Sequence, residues 1–188
     1  MKNKWTLTKF ITAGGFSGLL LISLIPGSIL NGITGTPNIG GVINAFIYTI
    51  FVPLFVILID QSGAATLILT IFSIFALPFP LIGTPGFLFK IPILIFSGFI
   101  IDIVYHFLRK KQKIFFVLVG GFFLTYVNTA VVLFAGILNI PGQEFATRYA
   151  FKPITIFGFF LIGLVGGLIS NEIFKKIKST TIIKRIQK

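Results

Sequence analysis

Long apolar runs fill most of the chain from residue 8 to residue 174, and they are broken only by glycine, proline or short clusters of charge. A water-facing helix or strand would show polar positions every two to four residues. Runs without that rhythm are the pattern of segments solvated by lipid. Six spans are predicted, at about residues 8–25, 41–59, 64–81, 90–108, 114–140 and 154–174. The breaks between them differ in kind. Residues 26–40, rich in Gly, Asn, Thr and Pro, read as too polar and too interrupted for a helix. Asp60 to Gly63 reads as a tight turn, Pro78 and Pro80 fall near the end of the third span, and Thr84-Pro-Gly86 separates it from the fourth. Residues 109–113 form a basic stop, residues 141–153 a polar loop, and a basic tail closes the sequence. The fifth span is long enough to require tilt or to project beyond the hydrocarbon. The expected fold class is therefore an all-α membrane protein, one integral domain over residues 1–188, with six transmembrane helices.

Composition strengthens this reading. The 188 residues are 55% hydrophobic and 11% charged, and the mean hydropathy is +1.03. Sixteen basic and four acidic residues cannot furnish the polar shell that a water-soluble domain of this length needs. The net charge of +12 does not point to nucleic acid, because the cations sit in short clusters between apolar runs and not on a polar face with interleaved aromatics. Such clusters set topology and meet lipid headgroups. The apolar run after Met1-Lys-Asn-Lys resembles a secretory signal, but it ends at Pro26-Gly27 without a small-x-small cleavage site, so it is read as the first span.

Charge also orients the spans. Thirteen Lys and Arg residues fall on the side of both termini and of the 109–113 stop; only Lys90, Arg148 and Lys152 fall on the other. The positive-inside rule then places both termini in the cytoplasm of a multi-pass plasma-membrane protein, which requires an even number of spans.

Polar and small residues inside the spans are the candidates for function, since polar groups in hydrocarbon are costly. Ala13, Gly14 and Gly18 give the first span a face that another helix can approach closely, and Gly163 and Gly167 repeat the spacing in the sixth. These faces suit packing within the chain or docking onto a partner. Asp102 and His106 share a face of the fourth span, as a proton relay or as a lock near the inner interface. Glu172 beside Lys175 and Lys176 reads as a solvated helix end. In the outer half, Asn44 and Tyr48 lie four apart in span two, Tyr126 and Asn128 lie mid-span in helix five, and Glu144, Arg148 and Tyr149 occupy the last outer loop. With Asn31, Thr34, Thr36 and Asn38, these residues are candidates to line an outward-opening pocket walled by some of the twenty-four Phe.

Several chemistries find no residues. There is no cysteine and one histidine, so neither a thiolate nor a multi-histidine metal site is expected. No metalloprotease, hydrolase or Walker motif occurs, so neither an enzyme nor a cofactor is expected, and the chain cannot itself hydrolyse ATP.

The layout resembles the substrate-binding (S) components of energy-coupling factor (ECF) transporters. The resemblance lies in six spans with both ends inside, a small-residue face on helix one, a long first outer loop, and the stretch Leu81-Ile-Gly-Thr-Pro-Gly-Phe-Leu-Phe-Lys90 followed by Ser97-Gly-Phe-Ile-Ile-Asp102. It covers nearly the whole chain in architecture, with loose motifs. It implies capture of a vitamin or other small organic micronutrient, and docking through helix one to a transmembrane coupling protein carrying two ATPases. Where the family usually has alanines four apart, Gly14 and Gly18 stand here. The N-terminal histidine of metal-transporting members is missing, which speaks against a metal substrate. A stand-alone proton-coupled transporter using Asp102 and His106, or a membrane structural or assembly protein using the glycine faces, fits the same pattern.

Overall fold

In lipid a backbone amide has no water to bond, so each crossing segment must satisfy its own N–H and C=O groups, and a helix does so within one segment. The computed structural model describes residues 5–34, 37–82, 84–138 and 151–187, and these are helical, with no strand among them. The helices are α1 (Leu7–Thr34), α2 (Pro37–Ile59), α3 (Ala64–Phe75), α4 (Lys90–Leu108), α5 (Gln112–Ile137), α6 (Pro153–Ile177) and α7 (Thr181–Ile186). Five of them, α1, α2, α4, α5 and α6, are long and apolar enough to cross a membrane. The chain is therefore all-helical in the manner of a multi-pass membrane protein.

Two boundaries differ from the sequence reading. Residues 26–34 continue α1, with Pro26 inside the helix, and α2 already begins at Pro37, so most of the expected outer loop is helical. Membrane helices tolerate an internal proline, and the polar Ser23 and Ser28 on either side of it stay within the helix by bonding their hydroxyls back to the carbonyls of Leu19 and Leu24. At 28 residues α1 is about 42 Å long, more than the hydrocarbon core is thick. Conversely, α3 stops at Phe75, short of the expected 81, because the residue before a proline is disfavoured in the helical region and Pro78 and Pro80 follow closely. Its 12 residues cover about 18 Å, and the chain goes on through turns at 76–80.

Glycine governs two helix contacts. On α5 and α6, Gly120 and Gly121 face Gly163 and Gly167 so closely that a Cβ on Gly163 would lie 2.8 Å from the Cα of Gly121. Gly166 turns the adjacent face of α6 onto Thr49 of α2, where the Ser170 hydroxyl donates to the Ile50 carbonyl at 2.7 Å. The Gly163/Gly167 spacing thus serves packing within the chain. Between α3 and α4, a Cβ on Gly98 would lie 2.6 Å from the Cα of Thr66. α2 runs through the middle of the bundle and touches α1, α3, α5 and α6. One end of the bundle carries the α4–α5 turn, the end of α6 and α7, and is rich in Lys and Arg; it is called the basic end below.

Candidate functional site

The close approach at Gly98 has a consequence one turn further along α4. Asp102 reaches the first turn of α3 and accepts from the Ala65 N–H at 3.1 Å, the Thr66 N–H at 2.9 Å and the Thr66 hydroxyl at 2.6 Å. α3 starts from Gly63 in a left-handed conformation, which offers no side-chain cap of its own, so Asp102 supplies the cap from the neighbouring helix. At the other end of α3 the fully buried Lys90 donates from Nζ to the Ala76 carbonyl at 3.2 Å and the Phe79 carbonyl at 2.8 Å. Lys90 and Asp102 are twelve residues apart, about 18 Å along a helix, which matches the length of α3. α4 therefore sets an anion at the positive end of α3 and a cation at its negative end. His106 is exposed, with its ring edge against Phe107, and it does not meet Asp102. Of the two readings of that pair, relay or lock, the direct relay has no contact between the two side chains to support it, while Asp102 locks α4 against α3.

The α2–α3 turn is held from several sides at the basic end. Asp60 sits at φ 52° and accepts from Arg109 Nε at 2.9 Å and Nη2 at 2.7 Å, and from the Tyr105 hydroxyl. These bonds raise the Arg109 pKa further above its ordinary value. The buried Lys9 bonds Gln61 at 3.4 Å, Trp5 Nε1 bonds the Ser62 carbonyl at 3.2 Å, and Gln187 reaches the Ile57 carbonyl at 3.2 Å. Of these groups, sequence reasoning registered Asp60 only as a turn and Lys90 only as an outer charge. Their partners lie too far along the chain for spacing to reveal.

Among the residues proposed to meet a ligand, Asn44 and Tyr48 come together. Both are buried on the same face of α2, and Asn44 Nδ2 donates to the Ser28 hydroxyl of α1 at 3.4 Å. Tyr48 lies edge-on to Phe72 of α3 at 5.5 Å and tilted against Phe123 of α5 at 6.1 Å. Among the described residues, neither the Tyr48 hydroxyl nor Asn44 Oδ1 has a hydrogen-bond partner. Buried polar atoms are satisfied in the large majority of cases, so two orphans one helical turn apart call for an explanation. Tyr126 is not part of this group; its ring meets Phe96 of α4 at 6.2 Å. Asn128 lies on α5, with its side chain outside the description. Glu144, Arg148 and Tyr149 lie outside the described residues. Of the outer polar residues Asn31, Thr34, Thr36 and Asn38, none has a described side chain.

The residues proposed for docking divide. Ala13 is fully buried, on the face of α1 where the Ser17 hydroxyl donates to the Ile68 carbonyl of α3 at 2.9 Å. Gly14 and Gly18 look outward: a Cβ on either would meet nothing within 4 Å. Ile11 and Ile22 are exposed on either side of them along the helix.

Fold and site together define a class only broadly, as an all-α protein with helices suited to crossing a membrane and one buried, incompletely bonded polar pair. Neither a protein-family model, nor a curated protein, nor a solved structure matches the chain.

Proposed function

We propose that the protein is a solute-binding membrane subunit resembling the S components of energy-coupling factor transporters, taking up a small organic micronutrient. In this reading the chain crosses the plasma membrane six times, with α3 and the turns at 76–80 as the crossing that the five long helices leave out. Both termini and the basic end lie in the cytoplasm, as the charge asymmetry favours. Asn44 and Tyr48 then fall in the outer half of α2. The open Gly14/Gly18 face of α1 is where a transmembrane coupling protein, with its ATPase subunits, approaches.

One observation carries the reading: the Tyr48 hydroxyl and Asn44 Oδ1 are buried, one helical turn apart, and without a hydrogen-bond partner among the described residues. A bound solute would supply the missing partners, and the rings of Phe72 and Phe123 around Tyr48 suit a flat organic molecule. The test is a thermal-shift screen of the detergent-solubilised protein against vitamins and their precursors, followed by calorimetry on Tyr48→Phe. The variant is expected to hold its unliganded stability, since the lost hydroxyl has no partner among the described residues. It should bind the solute about three- to tenfold more weakly, the worth of one hydrogen bond. A solute bound equally well by wild type, Tyr48→Phe and Asn44→Ala would refute the assignment of this pair.

A further inference from the structure

At the basic end, the last turn of α2, the α4–α5 turn, the end of α6 and the residue following α7 enclose a cavity of about 690 Å³. Its charged lining is Arg109, Lys110 and Lys178 against the single carboxylate of Asp60. Asp60 occupies Nε and Nη2 of Arg109, while Lys110 and Lys178 have no carboxylate partner among the described residues. Three cations against one anion leave an excess of two positive charges. Gln112, the first residue of the 26-residue α5, also lines the space, so the positive end of a long helix dipole adds to the same field. Ser179 and Gln187 also line it, the latter with one amide N–H beyond that given to the Ile57 carbonyl. The apolar lining is Ile57 and the buried Phe174.

We infer that this cavity binds a phosphate group, presented by the headgroup of an anionic phospholipid. Two surplus charges match a phosphodiester with a little in reserve, and hydroxyl and amide donors suit its oxygens. The apolar lining and the position at the ends of four helices favour an amphiphile over a soluble anion. Basic pockets between membrane helices take anionic headgroups by this combination of charge and placement. The site stands apart from the Asn44–Tyr48 pair and does not depend on the solute-binding reading.

Purified, delipidated full-length protein is titrated with phosphatidylglycerol, phosphatidylcholine or soluble glycerol phosphate, and bound lipid is counted by native mass spectrometry. Phosphatidylglycerol is expected to bind at one preferred site, with phosphatidylcholine and glycerol phosphate far weaker. The double variant Lys110→Gln/Lys178→Gln should bind phosphatidylglycerol about thirtyfold more weakly, from about fivefold per lysine. Both lysines are exposed, so the variant is expected to fold, and circular dichroism checks this. Lys176→Gln/Lys184→Gln removes equal charge from the same end outside the cavity and should leave the preferred site intact. Equal loss in both double variants would reduce the effect to diffuse surface charge and overturn the proposal. Tight binding of glycerol phosphate alone would overturn the lipid assignment.

Discussion

Replacing Asp102 by Asn tests whether α4 holds α3 by charge. The carboxylate accepts three hydrogen bonds, at 3.1, 2.9 and 2.6 Å, all from the first turn of α3. A carboxamide keeps one acceptor oxygen and turns an NH₂ donor toward groups that are themselves donors. At least one charge-assisted bond is lost, about 1.5–3 kcal/mol, together with the attraction between a negative charge and a helix N-terminus, about 0.3–2 kcal/mol. Uncharged side-chain bonds between membrane helices average only about 0.6 kcal/mol, because the unfolded chain in lipid finds partners too. The charge at a helix end is what places Asp102 above that figure. The expected cost is about 2–4 kcal/mol, which for a chain of this size lowers the unfolding midpoint by about 5–15 °C. Fluorescence-monitored thermal unfolding in detergent measures it. His106→Gln is the control, since His106 is exposed and apart from Asp102, and it should stay near the wild-type midpoint. An Asp102→Asn midpoint equal to wild type, or equal shifts in both variants, would refute the cap.

Further outcomes follow from the same packing. Lys90→Met strips the cation from the Ala76 and Phe79 carbonyls and should cost about 2–4 kcal/mol; it should also open the 76–89 segment to protease before the rest of the chain unfolds, which timed digestion would show. Gly163→Leu drives a side chain into the backbone of α5 and should cost more than about 3 kcal/mol or abolish folding, read as loss of the monodisperse peak in size-exclusion chromatography. At Gly14 and Gly18 a Cβ would meet nothing within 4 Å, so Gly14→Leu and Gly18→Leu should destabilise by less than about 0.5 kcal/mol. Under the proposed function these two variants fail to co-purify with a coupling protein while still binding solute.

The sequence pattern located the fourth span at 90–108, where the structure has it, because a lysine and an arginine bracket a mostly apolar run. α2, α5 and α6 also lie within a few residues of their predicted spans, where polar or turn-forming residues flank long apolar runs. α1 was read short because Pro26, Ser28 and Asn31 look like loop residues in water. In lipid the helix is the default for any segment that must satisfy its own backbone, and serine can bond within it. The small-residue spacing of Gly163 and Gly167 was plain in sequence, but spacing alone cannot say whether the approaching helix belongs to the same chain. Asp102 was noticed for its neighbour four residues on, whereas its partners are Ala65 and Thr66 of a different helix. Helical periodicity shows which residues share a face and nothing of what that face meets. The pairing of Asn44 with Tyr48 was legible because both lie on one helix; the turning of Tyr126 toward α4 was not.

The way the helices are paired bears on how a solute could reach Tyr48. α3 is held to α4 at both ends, by Asp102 and Lys90, and α5 is held to α6 by close glycine contact between residues 116–121 and 163–167. Each pair resists internal separation, the first because parting leaves charges and backbone groups unbonded, the second because close backbone contact is lost. Tyr48 stands on α2 between them, with Phe72 of the first pair on one side and Phe123 of the second on the other. Under the proposed function, a solute that bonds the Tyr48 hydroxyl has to enter beside Phe72 and Phe123. The Asp60 bonds to Arg109 and Tyr105 tie the end of α2 to α4, and Ser170 ties α6 to the Ile50 carbonyl, so parting is least costly on the Asn44–Tyr48 side of these anchors. α4 and α5 also meet through the rings of Phe96 with Tyr126 and Tyr105 with Phe115, besides the link Arg109–Lys111. Under the proposed function these contacts hold the two pairs together, and the solute enters on the α2 side of the bundle, where Asn44 and Tyr48 are.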